Sequence, residues 1–150
     1  TVGIFEMQKQ GFSNLYSGDV ENADAFDIFK DLSIDVIVAT ELIEHLNNPG
    51  LFFKNIKPLF NEDTQMVISV PNGLRLNGIW QSLQGYEYVH PDHNYWFSYH
   101  TLMTLIQKNG FKIIDMAGYV FSFNHPVNRL FSKINPFFVA DGILASVRPI

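Results

Sequence analysis

The chain has no cysteine in its 150 residues, which excludes disulfides, thiolate metal sites and a cysteine nucleophile. Basic residues are few: ten Lys and Arg stand against fifteen Asp and Glu, for a net charge of −5. They form no basic run, which argues against the phosphate-binding footprint of a nucleic-acid partner. No apolar run approaches the length of a membrane span. With the missing cysteines, this leads us to expect a cytoplasmic protein. Glycines number ten, yet none cluster into a loop that would bring backbone against a nucleotide.

What is present is apolar and aromatic. Hydrophobic residues make up 47% of the chain, with fourteen Phe, six Tyr and two Trp. That supplies one domain core with rings left over for an apolar pocket. Residues 1–5 (TVGIF) read as a short buried strand ending near Glu6, and residues 14–17 (NLYS) as another. Residues 23–32 suit a short helix or ordered turn. Residues 35–39 form a β-branched run expected to be buried on both faces, as in a parallel sheet. A helix is expected from Pro49 to Leu59 and a strand over 66–70. Residues 72–94 read as irregular, long enough to suggest a functional lid. Ser98 is placed to cap a helix that Asn109-Gly110 stops. Strands at 111–117 and 143–147 follow, separated by a polar-aromatic insertion over 121–139. Strands alternating with helices predict βαβ units and a mostly parallel sheet.

Ligands of open α/β sheets bind outside the carboxyl ends of the strands. Thr40, Glu41, His45, Pro71 and Asn72 should therefore crowd one rim. The strings DVIVATELIEHL (35–46) and VISVPN (67–72) resemble the second half of the class I methyltransferase domain, which uses S-adenosylmethionine. The segment HPDHNYWFSYHTL (90–102) is similar to one that faces the substrate in that group. The resemblance spans the chain from the family's second strand onward. It implies a Rossmann-like α/β methyltransferase sandwich with an antiparallel C-terminal strand, its N-terminal part missing and a lid-like insertion at about 72–97. Residues 6–19 are too few for a crossover helix between two parallel strands. We therefore expect residues to be missing there, as well as before Thr1.

The resemblance implies methyl transfer from S-adenosylmethionine to a small-molecule acceptor, for example a hydroxyl. For the cofactor it implies Asp19, with Val20, beside the adenine amine, although a turn aspartate satisfying backbone amides fits Asp19 as well. Glu6, at its strand end, would take the ribose hydroxyls, one position later than the family pattern. Thr40 and Glu41 would flank the methionine moiety. Glu41 and His45 are i,i+4 on an expected helix, which also suits an ordinary surface pair. His93, His90 and His45 are the candidate bases, and Asn72, Tyr95 and Trp96 the substrate contacts. His90 and His93 serve equally as pins for the lid. A metal is not expected: the HPDH spacing suits a helical chelate poorly and no third ligand suggests itself. Two other readings compete: a nicotinamide oxidoreductase, which lacks a spaced Ser/Tyr/Lys set, and a non-catalytic methyltransferase-like binding or assembly module.

Overall fold

The computed structural model describes residues 2–86, 89–120 and 136–150. Thr1, Tyr88 and most of the 121–139 insertion lie outside the described residues. Four strands form one sheet in the order β1-β2-β4-β3: β1 is Val36–Thr40, β2 Gln65–Pro71, β3 Phe111–Tyr119 and β4 Gly142–Pro149. β1 pairs parallel with β2, while β2 and β3 both pair antiparallel with β4. Three strands thus share one direction and the C-terminal strand opposes them, as expected. The inversion matters for the site. It brings the start of β4 to the rim formed by the ends of the other three, because Gly142 sits in register with both Pro71 and Tyr119.

Helices form where local signals are strong. Asn48 caps α2 (Pro49–Ile56), accepting from the Gly50 amide, and Pro49 takes the first turn. A 3-10 turn, Lys57–Leu59, continues it. Ser98 and Thr101 form a reciprocal capping box on α4 (Tyr99–Lys108). Phe52, Phe53 and Ile56 of α2 and Leu102 and Ile106 of α4 share one buried cluster with Met66, Ile68 and Val70 of β2 and Ile143, Ala145 and Val147 of β4.

Four expectations are corrected. Residues 1–5 do not form a strand: Val2–Lys9 is helix α1, closed by Gly11 at φ +88°. No described strand lies beside this segment, and a helix satisfies its amides within itself. The Glu6–Lys9 pair at 3.0 Å adds local support. The helix runs through Phe5, Glu6 and Met7. Residues 14–17 form no strand: Asn14 bends the chain at φ 58°, and 15–17 have no strand partner among the described residues. β1 is not buried on both faces: Ala39 packs inward, but Val36 is 56% and Val38 64% exposed. Residues 72–94 are not wholly irregular, since Leu76–Leu83 forms α3, and a short helix α5 spans Pro136–Val139.

Candidate active site

The rim at the strand ends holds two connected groups of side chains. The first is built on Glu41, which follows β1 in a left-handed conformation (φ 48°). Its amide donates to the Ser69 carbonyl at 3.0 Å. Its Oε1 accepts from the Ser69 hydroxyl at 2.9 Å and the Tyr119 hydroxyl at 2.8 Å. Burial and the bond to Glu41 push the Tyr119 phenol up to about 12, so it remains a donor. Three strands are thereby tied at one corner.

The second group is a histidine cluster. His90-Pro91-Asp92-His93 is a turn in which the His93 amide donates to the His90 carbonyl at 3.0 Å, with Pro91 at the position that presets φ. The turn sets the His90 and His93 rings 5.3 Å apart. The next residues clamp it to the 44–46 segment. The amides of Asn94 and Tyr95 donate to the Glu44 carbonyl, and Asn94 Nδ2 donates to the carbonyls of His45 and Leu46. His45 is thereby held 4.6 Å from the His93 ring and 5.8 Å from that of His90. Burial, followed by the neighbouring His45 and His90, lowers the His93 pKa below the usual histidine value, so His93 is neutral at physiological pH.

Beneath the cluster lies Glu44, fully buried between Ile43 and Leu46 in sequence. Neither carboxylate oxygen has a hydrogen-bond partner among the described residues. Burial pushes this carboxyl up to about 7, with the Glu41 charge adding to it. Sequence reasoning passed over Glu44, Ser69 and Tyr119. Only Glu44 had a signal, a carboxylate directly after Leu42-Ile43.

His90 and His93 line a cleft of about 190 Å³ at this rim, with Pro71, Asn72, Tyr95 and Trp96. Arg75 and Asp141, 3.5 Å apart, form its charged wall. Gly73 allows the closure, since a Cβ there would stand 2.9 Å from the Trp96 ring. Tyr95 donates its hydroxyl to the Asn47 carbonyl at 2.8 Å.

Several expected site residues are placed differently. Residues 41–45 form turns, not a helix, so Glu41 and His45 share no helical face: Glu41 is drawn to Ser69, and His45 Nδ1 to the Asp92 carbonyl at 3.0 Å. Glu6 is exposed on α1 and paired with Lys9, not at a strand end. Asp19 accepts from the Glu21 amide at 3.0 Å, the turn arrangement. Val20 packs against the core, and Thr40 is exposed at the end of β1. Asn72 is a knot. Its Nδ2 donates to the Phe137 and Ala140 carbonyls at 2.7 and 2.9 Å, and its Oδ1 accepts from the Leu74 amide.

Comparison with known proteins agrees with this architecture. Residues 3–116 match the family described as a methyltransferase domain, and the chain belongs to that family. S-adenosylmethionine is the cofactor the family implies. The fold is similar to a S-adenosylmethionine-dependent methyltransferase of Thermotoga maritima described as a possible histamine N-methyltransferase. That similarity has a TM-score of 0.67 and 16% identity, over 97% of this chain and 68% of that one. A methyltransferase from Archaeoglobus fulgidus gives 0.64 and 16%, over 95% and 71%. The small RNA methyltransferase HEN1 gives 0.63 and 21%, over 90% of this chain but 16% of HEN1. No curated protein matches the sequence. No helix among the described residues is long and apolar enough to cross a membrane.

Proposed function

We propose that this chain forms the acceptor side of a methyltransferase that moves the methyl group of S-adenosylmethionine to a small-molecule hydroxyl in the cytoplasm. The observation that carries the reading is the cleft at the strand rim, walled by Tyr95 and Trp96 and supplied with a neutral His93. Its size, below the roughly 300 Å³ at which drug-sized pockets begin, suits the reacting end of an acceptor. Residues 72–97 act as a lid whose two ends meet where Asn72 bridges Phe97.

The rim chemistry fits the cofactor in part. Its sulfonium and ammonium groups are cationic, and Glu41 and Glu44 make this corner acidic. Thr40, Asp19 and Val20 would hold it, with Glu41 acting through the orientation of Tyr119 and Ser69. Glu6, held by Lys9 on α1, has no part in the reading. When bound, the cofactor supplies an electrophilic methyl whose bond to sulfur breaks as the acceptor oxygen attacks. The protein aligns that oxygen, and the neutral imidazole of His93 takes the hydroxyl proton.

Calorimetry with S-adenosylmethionine and its demethylated product tests binding. Absence of heat at millimolar ligand, with the fold intact by circular dichroism, favours the non-catalytic module. Asp19→Ala should weaken binding by roughly 1–3 kcal/mol if the carboxylate reaches the adenine amine. His93→Ala should reduce turnover by about 10²–10⁴-fold with cofactor affinity unchanged. Joint loss of acceptor affinity and thermal stability would instead make His93 a pin of the lid.

A further inference from the structure

We propose that His45, His90 and His93 form a binding site for a divalent ion of the zinc class. One ring nitrogen from each lies within 4.8 Å of the other two. Ligand nitrogens around a tetrahedral ion at 2.0–2.1 Å sit about 3.4 Å apart, so the rings need to close by little more than about 1 Å. The two elements that supply them are already joined by the Asn94 and Tyr95 hydrogen bonds to residues 44–46. The third ligand missing from the sequence pattern is thus His45, brought in across 45 residues of chain.

A second observation is independent of the ring spacing. His45 Nδ1 lies 3.0 Å from the Asp92 carbonyl. A carbonyl only accepts, so Nδ1 carries a proton and Nε2 is the ring atom left to bind an ion. The atom facing Nε2, at 4.0 Å, is Oε1 of Glu44. The Glu44 side chain is 1% exposed, and both its oxygens lack a hydrogen-bond donor among the described residues. An imidazole nitrogen on a partly exposed ring and a fully buried carboxyl oxygen therefore face each other. A cation on His45 Nε2 resolves both deficits, with Glu44 as its buried counter-charge. The Asp92 carbonyl then acts as the outer partner that fixes ring tautomer and direction. His90 Nδ1 accepts from the Asp92 amide at 3.3 Å, so this ring must exchange that contact or its proton to ligate the ion.

Three imidazoles select zinc or a similar late first-row ion over magnesium or calcium, which prefer oxygen. Three protein ligands also leave a coordination position open, and His90 and His93 line the cleft. The proposal does not depend on methyl transfer. It competes with the proton-accepting role of His93, because a ring nitrogen that holds an ion is closed to a proton.

The test uses the full chain without a histidine tag, titrated with Zn²⁺ by calorimetry and with Co²⁺ by visible absorption, with no cofactor or acceptor present. One equivalent should bind, and Co²⁺ should give the intense visible bands of a four-coordinate site. His90→Ala, at an exposed position, should weaken binding by about 10–100-fold while leaving thermal unfolding of the metal-free protein unchanged. Glu44→Gln should weaken it by about tenfold. His100→Ala, on α4 and outside the cluster, should bind like the parent. No binding by the parent, or equal binding by the His90 and His100 variants, would overturn the site. Neither result would touch the methyl-transfer reading, which is measured by cofactor binding.

Discussion

Residues 36–150 and residues 2–35 are held in different ways. The larger region closes on itself through long-range pairings. β2 is buried at Met66, Ile68 and Val70, α2 and α4 pack into the same cluster, and the rim is tied by Glu41, Asn72 and Asn94. The smaller region contributes no strand. It reaches the core through partly buried Val20, Phe26, Phe29 and Ile34, through the Glu21 and Ile34 carbonyls, which accept from Asn55 and Thr64, and through a clasp, the Glu21 side chain. That carboxylate accepts from the amides of Asn47 and Asn48 at 3.0 and 2.6 Å. Order in the first region is distributed over many contacts, so it survives the loss of most single polar partners. Order in the second rests on a few, and the expected cofactor residues Glu6, Asp19 and Val20 all lie there.

The contrast can be broken most directly by truncating one ring in each region. Phe53→Ala should cost about 3–5 kcal/mol in urea unfolding, because Phe53 is fully buried against Phe52 and Phe111. Phe12→Ala, at an exposed site, should change stability by less than about 0.5 kcal/mol. Similar costs would mean that the two regions are equally integrated. Gly142→Ala should cost about 1–3 kcal/mol, because the new Cβ would fall within the Tyr119 ring. It should also displace the Tyr119 hydroxyl from Glu41, which tyrosine fluorescence or a crystal structure would reveal.

Two smaller effects sharpen the comparison. Glu21→Ala should cost about 1–2 kcal/mol and raise hydrogen exchange in residues 18–22 and 47–48 together. If exchange rises only at 47–48, the clasp does not hold the smaller region. Ser98→Ala removes the α4 cap and should cost about 1 kcal/mol, lost from the last folding transition and not from local opening of the first 35 residues.

The parts that were legible in the sequence are those whose cause is local. Pro49 and Ser98 mark helix starts by chemistry within four residues, and the β1 and β2 runs mark strands by composition. The ELIEHL and HPDH segments lie side by side at the rim. Their conformations were not legible. Glu41 to His45 has helical spacing, but Ser69 and Tyr119 offer the Glu41 carboxylate partners that a helix surface would not. Residues 2–9 are apolar and strand-like at the start, yet a strand requires a neighbour to complete its hydrogen bonds.

The sequence alone determined the class of fold, its methyltransferase resemblance and the chemical inventory of the rim, because periodicity, capping and motif strings are short-range properties. Tertiary structure decided which of those groups meet. His45 joins His90 and His93 only because the 90–93 turn is clamped against residues 44–46. Glu44 becomes a buried, unpartnered carboxylate only because that same segment closes over it. Asn72 lines the cleft while its side-chain amide is held by the Phe137 and Ala140 carbonyls. Each of these outcomes depends on residues separated by forty or more positions, and distances across such spans are set by packing of the whole core.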